Sequence, residues 1–187
     1  MEALGTLIQK LSSPRKIVIT THVKPDADAL GSSLGLANYL LKKGHEVTVI
    51  TPSDYPYFLH WLPGNSEVID FQMQADKSMQ LVAEADLIFC TDFNALSRIG
   101  ALGELVHQSA AKKVMIDHHL NPENYVDVML SDTTSCSTCQ LVYDVIEGAN
   151  WNEHLTPEIG TAIYLGIMTD SGSFRFPSVQ PRTHEII

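Results

Sequence analysis

Cysteine is scarce in this chain: three occur, an odd number, which argues against a disulfide framework and fits a reducing compartment. Cys136 and Cys139 form a single CxxC. No second CxxC and no suitably spaced histidine pair accompanies it, so a structural zinc site would be short of ligands, and the expectation is two buried thiols on a helix. Long apolar runs are missing too. None approaches the ~20 residues of a membrane-spanning helix, and the start MEALGTLIQKLSS lacks the basic opening and unbroken apolar stretch of a secretory signal. The expectation is a cytoplasmic protein that avoids membranes. Positive charge is likewise in short supply, since 12 Lys and Arg stand against 22 Asp and Glu, for a formal net charge of −10. Such a surface disfavours wrapping long nucleic acid through phosphate contacts. It leaves room for an anionic substrate, because bound divalent cations can invert the local charge of a carboxylate cluster. Internal repeats and low-complexity tracts are absent. With 44% hydrophobic and 18% charged residues, a chain of 187 suits one globular domain.

What is present is an alternation of strands and helices. The run KIVITT, residues 16–21, reads as a strand, and residues 29–43 carry apolar side chains at helical spacing until Gly44 stops them. EVTVI (46–50), ADLIFCT (85–91) and KVMID (113–117) read as further strands, with near-continuous apolar runs that suit a parallel sheet buried on both faces. Pro52, Pro56, Pro63 and Gly64 mark residues 51–70 as an irregular connection. Helical spacing returns at 74–83, 136–147 and 157–168, with Thr156 and Pro157 as N-cap and first-turn proline. The expected fold is α/β: a doubly wound, mostly parallel sheet with helices on both faces, spanning residues 1–182. Residues 183–187 read as the start of a linker helix to a C-terminal domain that this sequence does not contain.

Metal-ligating residue types gather at four places along the chain. His22, Asp26 and Asp28 lie in THVKPDADALGSS, where both aspartates can project from a loop at a helix start; Gly31, Ser32 and Ser33 would let a ligand approach closely. Asp92 ends the strand at 85–91. Asp117, His118 and His119 directly follow KVMI, and Asp170 stands in TDSGSFRF. Each could separately be a capped turn. One rule accounts for them together, since doubly wound sheets bind ligands outside the carboxyl ends of their strands. Mixed oxygen and nitrogen donors without thiolate suit Mn²⁺, with Mg²⁺ the alternative. Four aspartates and at least two histidines exceed the needs of one tetrahedral ion, so two ions are more economical; a pair roughly 3.5–4 Å apart activates water for in-line attack on phosphorus.

THVKPDADALGS, the central Asp92, the triplet Asp117-His118-His119 and the late TDSG, in this order, resemble the DHH phosphoesterase superfamily, and SCSTCQLVYDVI is similar to the helix that follows its triplet. The first and fourth motifs are similar to the branch of short-oligonucleotide hydrolases that also dephosphorylate 3′-phosphoadenosine 5′-phosphate. The resemblance implies that His22 and Asp26 bind one ion, that Asp28, His118 and Asp170 bind the other, and that Asp92 bridges. It implies that His119 faces the scissile phosphate and that Asp117 orients an imidazole. Arg98 and Arg175, the basic residues nearest the motifs, are candidates for holding a second phosphate, with a surface ion pair or helix-end charge as the bland alternative. His45, His60, His107, His154 and His184 read as surface or packing residues. The expected partners are short oligonucleotides or small nucleotides, with a homodimer left open. Within the same chemistry, cyclic-dinucleotide or linear pApA hydrolysis and pyrophosphate hydrolysis are alternatives; a non-catalytic nucleotide-binding module is the alternative of another class.

Overall fold

The strand segments assemble into one six-stranded sheet in which every pairing is parallel. The structure, a computed structural model, describes residues 2–187. Its strands are β1 (Lys16–Thr20), β2 (Glu46–Thr51), β3 (Ile69–Asp70), β4 (Leu87–Thr91), β5 (Lys112–Asp117) and β6 (Val128–Ser131). Their order is β3-β2-β1-β4-β5-β6, so the winding reverses between β1 and β4. That reversal opens a crevice at the carboxyl ends of the two central strands.

Side chains alternate across the sheet and create two cores. Ile17, Ile19, Leu87 and Phe89 face one cluster, built with α1 (Glu2–Lys10), α2 (Ala27–Lys42), α5 (Thr138–Gly148) and α6 (Pro157–Asp170). Val18, Ile50, Ile88 and Cys90 face the other, covered by α3 (Ala75–Glu84) and α4 (Leu102–Gln108). Burial on both faces explains the unbroken apolar strands. The last helix, α7 (Pro181–Ile186), packs Ile186 against the first core. Among the described residues, no helix is long and apolar enough to cross a membrane.

Two local expectations need correction, and a third holds in position alone. The segment 51–70 is not wholly irregular, since two short 3₁₀ turns lead into β3. Thr156 and Pro157 do stand at the N-cap and in the first turn of α6, though the Thr156 hydroxyl makes no capping bond. Gly31 does not clear space for a ligand: a Cβ there would lie 2.5 Å from the Ala162 carbonyl oxygen, so its missing side chain lets α2 and α6 pack closely. Ser32 and Ser33 are buried, and their hydroxyls both bond the carbonyl of Ala29.

Candidate metal centre

Each motif reaches the crevice by a local device. β1 runs out into Thr21 and His22 beside the switch point. Asp92, just past β4, takes a left-handed backbone with φ of 64°. Aspartate tolerates that conformation at a cost on the order of 1 kcal/mol. The Asp92 amide donates to Ile116 O at 3.0 Å, which ties the ends of β4 and β5 together. Asp117 is the last residue of β5, and His118 and His119 follow it. Asp28 lies in the first turn of α2 rather than in a loop; Asp26 caps that helix by accepting the amides of Asp28 and Ala29, both at 3.0 Å. Asp170 is the final residue of α6.

The two oxygens of Asp92 face different imidazoles. Oδ2 lies 3.5 Å from His22 Nε2, and Oδ1 lies 3.7 Å from His118 Nε2. His22 Nε2 is also 3.9 Å from Asp26 Oδ2, while His118 Nε2 is 3.4 Å from Asp170 Oδ2 and 3.9 Å from Asp28 Oδ2. Three groups therefore have ligand atoms that all lie within 4.8 Å of one another: His22, Asp26 and Asp92; Asp28, His118 and Asp170; Asp92, His118 and His119. His22 Nδ1 donates to Val23 O at 2.9 Å and His118 Nδ1 to Ser135 O at 3.2 Å. A carbonyl can only accept, so Nδ1 carries a proton in both rings and Nε2 is the nitrogen turned toward the carboxylates.

The donor set fits hard divalent cations. Asp28 is 1% exposed, and burial, followed by the neighbouring charges of Asp92 and Asp170, holds its carboxyl well above the usual aspartate range. Burial also raises Asp170, with the charges of Asp92 and Asp26 pushing the same way and His118 opposing them. Crowded carboxylates with imidazoles and no thiolate suit ions such as Mn²⁺ or Mg²⁺, whose charge would offset that repulsion.

His119 differs from the other two histidines. Its Nδ1 lies 2.7 Å from Asp117 Oδ1, and this hydrogen bond is the main reason its pKa is raised. Arg98 is half-buried and its charge acts on His119 in the opposite direction, which places the guanidinium within electrostatic reach of the crevice. Arg175 is exposed and donates from Nε to Gly172 O at 2.8 Å. Cys136 and Cys139 are buried and free, Cys136 just ahead of α5 and Cys139 within it.

Sequence reasoning missed the groups behind the carboxylates. The amides of Thr138 and Cys139, opening α5, donate to Asp28 Oδ2 at 2.7 Å and Oδ1 at 2.9 Å, and the Thr138 hydroxyl donates to Asp92 Oδ1 at 2.8 Å. The available signal was the cluster SCSTC at a helix start, where small hydroxyl residues commonly cap.

Residues 16–167 match the profile of the DHH family, N-terminal domain. The chain belongs to the DHH family. Among the relatives of this DHH-family chain is the bifunctional oligoribonuclease and PAP phosphatase NrnA of Thermus thermophilus, 33% identical over 183 residues, which are 97% of this chain and 50% of the relative. The protein of the same name from Bacillus subtilis is 30% identical over 179 residues, covering 95% of this chain and 53% of the relative. A solved structure of an exopolyphosphatase-related protein from Bacteroides fragilis superposes with a TM-score of 0.97 at 37% identity, covering 99% of this chain and 54% of that one. The chain thus spans about half the length of the relatives it matches.

Proposed function

We propose that the protein hydrolyses phosphate esters in very short oligonucleotides and in 3′-phosphoadenosine 5′-phosphate, using two divalent cations at the switch point. The observation that carries this reading is Asp92, whose two carboxylate oxygens face two separate imidazoles. His22 and Asp26 would hold one cation, Asp28, His118 and Asp170 the other, with Asp92 shared. Mn²⁺ is the preferred ion and Mg²⁺ the alternative. When bound, the cations supply Lewis-acid polarisation of phosphoryl oxygens and acidify a water.

The remaining chemistry falls to the chain itself. Asp117 holds His119 by Nδ1 and favours its protonated form, so that Nε2 can deliver a proton to the leaving oxygen. Arg98 and Arg175 are the guanidinium candidates for a second phosphate. The choice of short substrates draws on the activity named for the two relatives and on the net charge of −10, which opposes long nucleic acid. We assign the cation-binding domain to residues 1–182. Three buried free thiols support a reducing, cytoplasmic setting.

The test uses the full-length protein stripped by chelation and then resupplied with Mn²⁺ or Mg²⁺, with a dinucleotide and 3′-phosphoadenosine 5′-phosphate as substrates. Turnover of both should vanish on stripping, return with the cation, and be abolished in Asp92→Ala. Full activity in the stripped protein, or turnover surviving in Asp92→Ala, overturns the proposal.

A further inference from the structure

The first turn of α5 meets two different carboxylates of the centre. Ser137 caps the helix, its hydroxyl accepting the Gln140 amide at 3.1 Å, and so fixes where the next two residues point. The Thr138 and Cys139 amides then take one oxygen each of Asp28, while the Thr138 hydroxyl takes Oδ1 of Asp92. Asp28, Asp92 and Thr138 are all buried, which shields these bonds from competing water. α6 closes in from another side: a Cβ on Gly166 would lie 2.7 Å from Asp28 Oδ1, so a residue without a side chain at this position leaves room for the carboxylate.

Direction follows from this arrangement. A carboxylate oxygen has two in-plane lone pairs, and one hydrogen bond leaves a single pair pointing elsewhere. For Asp92 Oδ1 that donor is the Thr138 hydroxyl, on the oxygen that lies 3.7 Å from His118 Nε2 and 3.8 Å from His119 Nδ1. Oδ2 is left for His22, 3.5 Å away. Among the described residues, the Thr138 hydroxyl is the group within hydrogen-bond distance of Oδ1, the two imidazoles there being farther away, so its loss removes the closest restraint on the twist of the carboxylate about its Cβ–Cγ bond.

We propose that Thr138 is a positioning residue: its hydroxyl fixes the rotation of Asp92 so that one oxygen faces His22 and the other His118, the two groups that would hold the cations, while the amides of Thr138 and Cys139 preset Asp28. The inference rests on the two-cation reading above and adds a residue to it that touches neither cation nor substrate. Groups placed behind ligands in this way typically contribute about 10- to 100-fold in metal affinity.

The experiment titrates Mn²⁺ into chelator-stripped full-length protein by calorimetry and records the electron paramagnetic resonance of the loaded sample. Wild type should bind two ions per chain and give the spectrum of a coupled pair. Thr138→Val keeps the side-chain shape and loses the donor, and should weaken binding roughly 10- to 100-fold and shift the spectrum toward isolated ions. Its circular dichroism and cooperative melting without metal should remain native. Thr138→Ser retains the donor and should restore both affinity and coupling. If Thr138→Val does not fold, Thr138→Ala removes the same donor and is judged by the same titration. Wild-type affinity and coupling in the variant lacking the hydroxyl would overturn the role of Thr138 and leave the two-cation centre standing; a Thr138→Ser as defective as Thr138→Val would also overturn it. A wild type that binds no divalent cation brings down the centre and this inference together.

Discussion

Asp117 grips His119 from two residues away, Oδ1 accepting the Nδ1 proton at 2.7 Å, while Asp117 itself is fully buried. Its other oxygen has no hydrogen-bond partner among the described residues, so the carboxylate is committed to this single imidazole.

Asp117→Asn should therefore act through His119. The pKa of His119 is raised, mainly by this bond, so the imidazole stays protonated to higher pH than an ordinary histidine near 6.5. Removing the charge lowers that pKa, and a proton donor is then lost earlier as pH rises. The alkaline limb of the rate profile should move to lower pH, and the maximal rate should fall by about 10²-fold or more. An unshifted limb with an unchanged rate would remove His119 from proton transfer.

Gly31→Ala sets helix propensity against packing. Alanine favours a helix interior by about 0.8–1 kcal/mol over glycine, but the new Cβ would collide with the Ala162 carbonyl, a rigid backbone group. Overpacking of this kind costs about 1–3 kcal/mol, so urea unfolding should shift to lower concentration. Gly160→Ala, in α6 with nothing within 4 Å of the new atom, should shift it upward. Equal effects at both positions would mean that α2 and α6 can separate freely.

His45 is 5% exposed, and neither ring nitrogen has a hydrogen-bond partner among the described residues. Burial, helped by the charges of Lys43 and Arg15, pushes its pKa down. The unfolded chain therefore takes up a proton more readily than the folded one, and this site costs stability as pH falls below about 6.5. His45→Leu should unfold at a melting temperature that falls less than wild type between pH 7 and pH 5. Parallel pH profiles for the two proteins would contradict the assignment.

The central strands were legible because burial on both faces leaves nearly unbroken apolar runs, and the strand ends were legible because Asp92 and the 117–119 triplet interrupt those runs with polar residues. β6, four residues long at the sheet edge, carried too little pattern to be seen, and α4 was overlooked in a short segment of mixed polarity. Asp28 was placed correctly along the chain but wrongly in a loop, because a buried acid in a helix is intelligible only once its distant amide donors are known. Gly31 and Thr138 were unreadable for the same reason: each answers to a partner that is remote in sequence.

That remoteness has a temporal side. The amide of Thr138 reaches Asp28 across 110 positions of chain, and the bond needs α2 and α5, which carry the two residues, to be packed together. Before that moment the nascent polypeptide carries its aspartates and histidines as separate, hydrated weak ligands. Capture of a cation pair would thus mark the completion of folding rather than seed it, and a partly made chain would hold no ions to misplace.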